Sequence, residues 1–137
     1  MKIRSFILAV LAMTFALAPS TLNTALARGT NTYTARLVSP RAGDILKPGQ
    51  VVRIEWTANY PDVDLDMCEM EILLSVDGGR VYKFVTEQRN PKIQFYNWTV
   101  PETPTRTAIL DIRFGCLGLY PETASPQPQS TFVISAD

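Results

Sequence analysis

Period-two alternation of apolar and polar residues constrains this chain more than any other feature. In Val51-Val52-Arg53-Ile54-Glu55-Trp56-Thr57, Val52, Ile54 and Trp56 fall on one face of an extended segment, and Arg53, Glu55 and Thr57 fall on the other. Such a pattern gives a half-buried strand a core face and a solvent face. It recurs. Tyr33, Ala35 and Leu37 predict a strand over 33–38; Met70, Ile72, Leu74 and Val76 one over 69–76; Tyr96, Trp98 and Val100 one over 94–100. Ala108, Leu110, Ile112 and Phe114 predict another over 108–115, and Phe132 and Ile134 a last one over 131–135. Residues 81–86 also read as a strand, but Tyr82 and Phe84 compete with Val81 and Val85 for the inward face. Either both faces of that strand are partly covered, or it is an edge strand carrying aromatics.

The breaks between these runs are turns. Pro48-Gly49 pairs a residue with preset φ and one that tolerates positive φ. Asp77-Gly78-Gly79 predicts a hairpin for the same reason. Pro101 and Pro104 end the strand before them, because proline donates nothing to a ladder. Residues 39–44 read as a turn-rich link, 58–67 as a loop, and 117–129, with Pro121, Pro126 and Pro128, as a long loop. No amphipathic helix is evident after residue 27. About seven short strands in about 110 residues predict an all-β chain, an immunoglobulin-like or fibronectin III-like sandwich, with a small barrel as the alternative. Trp56 and Trp98 are expected in the core.

One strand pairing can be written down from the residues. Set 68–76 antiparallel beside 108–116 so that paired numbers sum to 184. Met70 then faces Phe114, Ile72 faces Ile112, Leu74 faces Leu110, Val76 faces Ala108, and Cys68 meets Cys116. A shift of one residue would set apolar side chains against charged ones. Opposed Cβ atoms lie about 4.5–5.5 Å apart, near the reach of a disulfide. The chain has 2 cysteines, so the register predicts a Cys68–Cys116 bridge.

The N-terminus carries Lys2 and Arg4, the apolar run Phe6 to Ala18, and the small-residue pattern Ala25-Leu26-Ala27. Together these predict a signal peptide over 1–27 with cleavage before Arg28, and a single domain over 28–137. The alternative, an uncleaved anchor, would need about 20 apolar residues. Secretion or release into a periplasm follows, with no membrane span in the mature chain. An oxidising compartment also suits the predicted bridge. Removing 1–27 leaves 11 basic and 13 acidic residues, net −2. A nucleic-acid partner would require a basic patch, so none is expected. The sequence has 0 histidines, which excludes Ser-His-Asp and Cys-His nucleophile systems.

Ser39-Pro40-x-x-Gly43, Gly49-x-Val51-x-x-Ile54-x-Trp56, Ile72-x-Leu74-Ser75-x-Asp77-Gly78-Gly79, Tyr96-x-Trp98-Thr99-Val100-Pro101 and Phe132-x-Ile134 follow one another in this order. The series resembles the N-terminal immunoglobulin-like domain of the Ser/Thr-rich secreted and GPI-anchored family of fungal cell-wall proteins, linked to β-glucan assembly, and similar modules of bacterial exported proteins. The resemblance implies a β-sandwich outside the cell, often without enzymatic activity. The long Ser/Thr-rich tail and anchor signal of the fungal proteins have no counterpart in this sequence.

Several residues are candidates for chemistry. Asp62, Asp64 and Asp66 alternate and would share one side of an extended segment, as a calcium site between strands requires. The EF-hand pattern fails, because Met67 stands where its glycine belongs and Leu73 where its glutamate belongs. A solvated acidic loop is the expectation. Glu69 and Glu71 offer the carboxylate pair of a glycosidase but sit on an outward face. Tyr60, Tyr82 and Tyr120, with Phe84 and Phe95, are aromatics the alternating core does not require; exposed, they could contact a ligand, and otherwise they fill the rim of the core. Asn97-Trp98-Thr99 matches an N-glycosylation acceptor. No catalytic, metal or cofactor-binding set is assigned. The expected function is a non-catalytic exported module binding a partner protein or a cell-envelope polysaccharide. Its alternatives are a structural subunit of a surface assembly and a carboxylate-dependent glycan hydrolase.

Overall fold

A computed structural model of the protein describes residues 32–125 and 131–137. The expected signal peptide, the leader at 28–31 and part of the expected long loop, 126–130, lie outside the described residues. Among the described residues nine strands form: β1 (Thr34–Ser39), β2 (Ile45–Leu46), β3 (Val51–Asn59), β4 (Cys68–Ser75), β5 (Lys83–Gln88), β6 (Phe95–Thr99), β7 (Thr105–Cys116), β8 (Tyr120–Thr123) and β9 (Phe132–Ile134). The one described helix is a single 3-10 turn, Leu65–Met67.

The strands make two sheets. The smaller has the order β1-β3-β6 and the larger β2-β9-β7-β4-β5, with β8 also pairing β7. No described strand pairs across the two sheets, so this is an all-β sandwich and the closed-barrel alternative falls. Val51–Thr57 lies in β3, central in the smaller sheet between β1 and β6. Its Ile54 and Trp56 are fully buried.

All seven expected strands form. Two more were missed. Ile45–Leu46, between the link at 39–44 and the Pro48-Gly49 turn, pairs in parallel with β9; two residues are too few to show a period. Tyr120–Thr123 falls in the expected long loop, where Pro121 argues against a strand. It nonetheless pairs β7 through Phe114↔Thr123 and Cys116↔Tyr120, with a bulge between them. Gly115 permits that approach, since a Cβ there would stand 3.3 Å from Glu122 Cα. The Pro48-Gly49 turn forms as expected: Gln50 N–H donates to the Lys47 carbonyl at 3.1 Å, with Gly49 at φ 75°. The β4–β5 hairpin is wider than Asp77-Gly78-Gly79 alone implies. Its loop runs over 76–82. The Asp77 carboxylate accepts from the amides of Arg80 and Val81, and the Ser75 hydroxyl accepts from the Gly79 amide. Side-chain capping, absent from a two-residue turn, holds this wider loop.

The β4–β7 register is the one written from the sequence. Cys68↔Cys116, Met70↔Phe114, Ile72↔Ile112 and Leu74↔Leu110 are direct partners. Cys68 and Cys116 are disulfide-bonded with their Cα atoms 4.0 Å apart. Between the sheets, Trp98 meets Phe132 edge-on with ring centroids 6.3 Å apart. The Tyr33 hydroxyl donates to the Ile112 carbonyl at 2.7 Å. Ser125 ties β1 to β7: its amide donates to Asp111 Oδ1 at 3.1 Å and its hydroxyl to the Ala35 carbonyl at 2.9 Å.

Candidate functional site

The two sheets are unequal in width. β6 ends the smaller sheet and β5 ends the larger one. The chain passes from β5 to β6 through residues 89–94 with no strand between. The inward face of β5 therefore has no strand opposite it, and a groove opens between the two edge strands. Leu74, Val76, Val81 and Val85 line it on the larger sheet; Tyr96, Trp98 and Thr99 line it on the smaller. It encloses about 710 Å³, within the roughly 300–1,000 Å³ typical of ligand pockets.

Register explains the mixed chemistry of β5. Directly opposed residues share a face. Leu74↔Lys83, Ile72↔Thr86 and Met70↔Gln88 place Lys83, Thr86 and Gln88 on the inward side, while Leu73↔Phe84 and Glu71↔Glu87 place Phe84 and Glu87 outward. A register shift between Ile72 and Leu73 makes room for Val85, which packs against the core. A covered strand could not carry Lys83, Thr86 and Gln88 inward, because burying them unpaired would be expensive. β5 is thus the edge strand of the two alternatives left by the sequence, with Phe84 exposed on its outer side. Gln88 reaches across the groove's end and donates to the Phe95 carbonyl.

The three candidate tyrosines are not brought together. Tyr60 and Tyr120 pack on Phe114, with centroids 5.1 Å and 5.6 Å from it, and Tyr33 stacks on the same ring at 5.1 Å. The Tyr60 hydroxyl donates to the Pro91 carbonyl, and the Tyr120 hydroxyl accepts from the Tyr33 amide. Burial pushes the Tyr33 phenol far up and raises the Tyr60 phenol as well. These rings close one end of the core. Tyr82 stands apart over the outer face of the larger sheet, 6.0 Å from the Arg113 guanidinium carbon. Phe95, on the outer side of β6, has the Arg53 guanidinium over its ring at 3.8 Å.

The acidic candidates are also separated. The extended segment assumed for Asp62, Asp64 and Asp66 is interrupted by the 3-10 turn, where the Asp64 side chain accepts from the Asp66 amide at 3.1 Å. Lys92 approaches Asp66 at 3.8 Å. No group of three acidic or sulfur side chains placed to hold a metal occurs among the described residues. Glu69, Glu71 and Glu122 border a shallow hollow of about 290 Å³ beside the disulfide. Partial burial, and then the charges of Glu122 and Glu69, raise the Glu71 carboxyl, with Arg113 opposing. Arg113 is held by Asp111 at 2.9 Å and Glu122 at 2.8 Å, so its charge serves the sheet surface. Asn97 is exposed on the outer side of β6.

The groove was not legible as a site, because its walls are ordinary strand residues. The available signal was the unresolved face of 81–86. No protein-family model and no curated protein matches the chain.

Proposed function

We propose that this chain is a non-catalytic exported module that binds an extended segment of a cell-envelope partner, protein or polysaccharide, in the groove between β5 and β6. The observation that carries the reading is the groove itself: an apolar floor of Leu74, Val76 and Trp98 opens to water between two strands that have no further strand partner among the described residues. An extended ligand matches a trough walled by two edge strands better than a compact one. The Cys68–Cys116 bridge supports export, since such bridges persist in oxidising compartments. Cleavage before Arg28 and a secreted or periplasmic location belong to the same proposal, as does kinship with the fungal and bacterial envelope modules.

The test is binding to immobilised envelope polysaccharides and to envelope protein extract, with variants at two distant places. Val81 lies in the groove and is 59% exposed; Leu117, in the β7–β8 hairpin, is 91% exposed. Val81→Asp is expected to weaken binding about tenfold, consistent with losing most of a buried valine's roughly 1.5 kcal/mol or more. Leu117→Asp should leave it unchanged. Equal effects of the two variants would reject the groove. Hydrolysis of an envelope glycan, abolished by Glu71→Gln, would replace a binding module by an enzyme.

A further inference from the structure

We infer that the groove's occupant is a peptide in extended conformation that adds as a fourth strand to the free edge of β6, with an acidic side chain directed at Lys83. This rests on the groove reading and names its ligand. Four observations lead to it.

First, β6 pairs only with β3 among the described residues, through five consecutive partners from Val51↔Thr99 to Glu55↔Phe95 with no register shift. Its other edge therefore presents backbone donors and acceptors in a regular row, of which, among the described residues, only the Phe95 carbonyl at one end is engaged, accepting from the Gln88 side chain. Secondly, that edge lacks the usual protections. Phe95–Thr99 contains no lysine, no proline and no bulge, the devices by which edges avoid strand addition. The neighbouring edge, β5, does carry a lysine and a register shift. Thirdly, the smaller sheet has three strands against five along the path of the larger one, which leaves room for a strand beside β6. A strand beside β6 would stand about 4.8 Å from it, facing β5. Its inward side chains would then cover Val85 and Val76, while alternate ones would point to solvent. Backbone pairing supplies affinity and the alternate pockets supply selectivity in this mode of recognition.

Fourthly, charge is complementary to one type of side chain. The groove's two charged residues are Asp77 and Lys83. The Asp77 carboxylate is engaged by the Arg80 and Val81 amides and the Ser75 hydroxyl, which hold it below the usual carboxylate range. Lys83 has no ion-pair partner among the described residues. A carboxylate on the incoming strand meets that ammonium. A sugar chain lacks the regular row of backbone amides and carbonyls that would pair with the β6 edge in register.

A displayed library of random eight-residue peptides selected on the folded protein tests this. Enriched sequences should alternate apolar and polar residues and carry one aspartate or glutamate. In the 15N–1H spectrum the best of them should shift β6 amides and the Trp98 indole, and slow hydrogen exchange along β6. N-methylating the two peptide amides that face β6 should weaken binding at least about tenfold, the cost of two lost hydrogen bonds. Lys83→Glu should weaken it about three- to fivefold, as for an exposed ion pair, and restore it when the peptide's acid is exchanged for lysine. Groove-directed peptides indifferent to N-methylation would overturn strand addition and leave the groove reading standing. No enrichment, with envelope polysaccharide shifting the groove amides, would overturn the peptide and keep the groove. Enriched peptides that shift only residues elsewhere would sink both.

Discussion

Opening the Cys68–Cys116 bridge perturbs one covalent link while leaving the surrounding packing in place, so its effect can be worked from the structure. The bridge spans a sequence separation of 48. In the chain-entropy model a closed loop of about that length withdraws roughly 4 kcal/mol from the unfolded state. This is an upper figure, because real unfolded chains are already partly compact. For a domain of about 100 residues each kcal/mol moves Tm by about 4–8 °C, so the shift is about 15–30 °C. The ladder should survive the loss: Met70, Ile72, Leu110, Ile112 and Phe114 are fully buried on one face and hold the register without help. Two perturbations separate cross-link from packing. Reducing the wild-type protein keeps both sulfur atoms and removes only the link. The double variant Cys68→Ala/Cys116→Ala also removes the sulfurs, at positions 5% and 4% exposed. It should therefore lie a further 1–3 kcal/mol lower, by the rough scale of one buried heavy atom each. Thermal unfolding followed by circular dichroism, with and without reductant, measures all three states. Oxidised and reduced wild type melting within about 3 °C of each other would refute the reasoning. So would a double variant as stable as the oxidised protein.

Other expectations follow from the packing and the charges. Tyr33 and Tyr60 have phenols raised by burial above their unfolded value near 10, so the folded state holds protons that the unfolded state releases. Stability contributed in this way is whole below about pH 10 and falls above it, by up to about 1.4 kcal/mol per pH unit for each phenol; urea midpoints between pH 8 and 11.5 should show the decline, and Tyr33→Phe should flatten it. Asp111 is 3% exposed and accepts from both Arg113 and the Ser125 amide. Asp111→Ala is expected to cost about 1–3 kcal/mol, since it removes the acceptor of the buried Ser125 amide while Arg113 keeps Glu122, whereas Asp62→Ala, on the exposed loop, should stay within about 0.5 kcal/mol; chemical unfolding compares them. Asp77→Ala should free the Arg80 and Val81 amides and speed their hydrogen exchange, with no matching change in β7. Mass spectrometry of the chain recovered from periplasm or culture medium should find Arg28 at its N-terminus.

How far the sequence can be read depends on what each strand faces. β4, and β7 from Ala108 onward, are covered on their inner faces, so each inward position there demands an apolar residue, and the demand is visible as period two. Two such strands side by side make the register legible as well, because only one offset sets Met70 on Phe114 and Ile72 on Ile112. Cys68 and Cys116 then meet as a consequence. β8 was illegible because it owes its pairing to Gly115 in its neighbour and not to any pattern of its own. Tyr60 and Tyr120 take the second of the two places left open for them, the rim of the core: their rings close its end on Phe114, Tyr60 just after β3 and Tyr120 at the start of β8, positions that no periodicity reports. β5 is the instructive case. Its inward positions face no strand, so selection for burial acts there only through Val85, and Lys83, Thr86 and Gln88 are tolerated beside it. The competing phases of 81–86 are thus a physical statement about the fold: a strand inside the sheet on one side and open to the groove on the other. The break in hydrophobic periodicity at 81–86 coincides with the edge of the larger sheet, where the inward face of β5 opens to the groove.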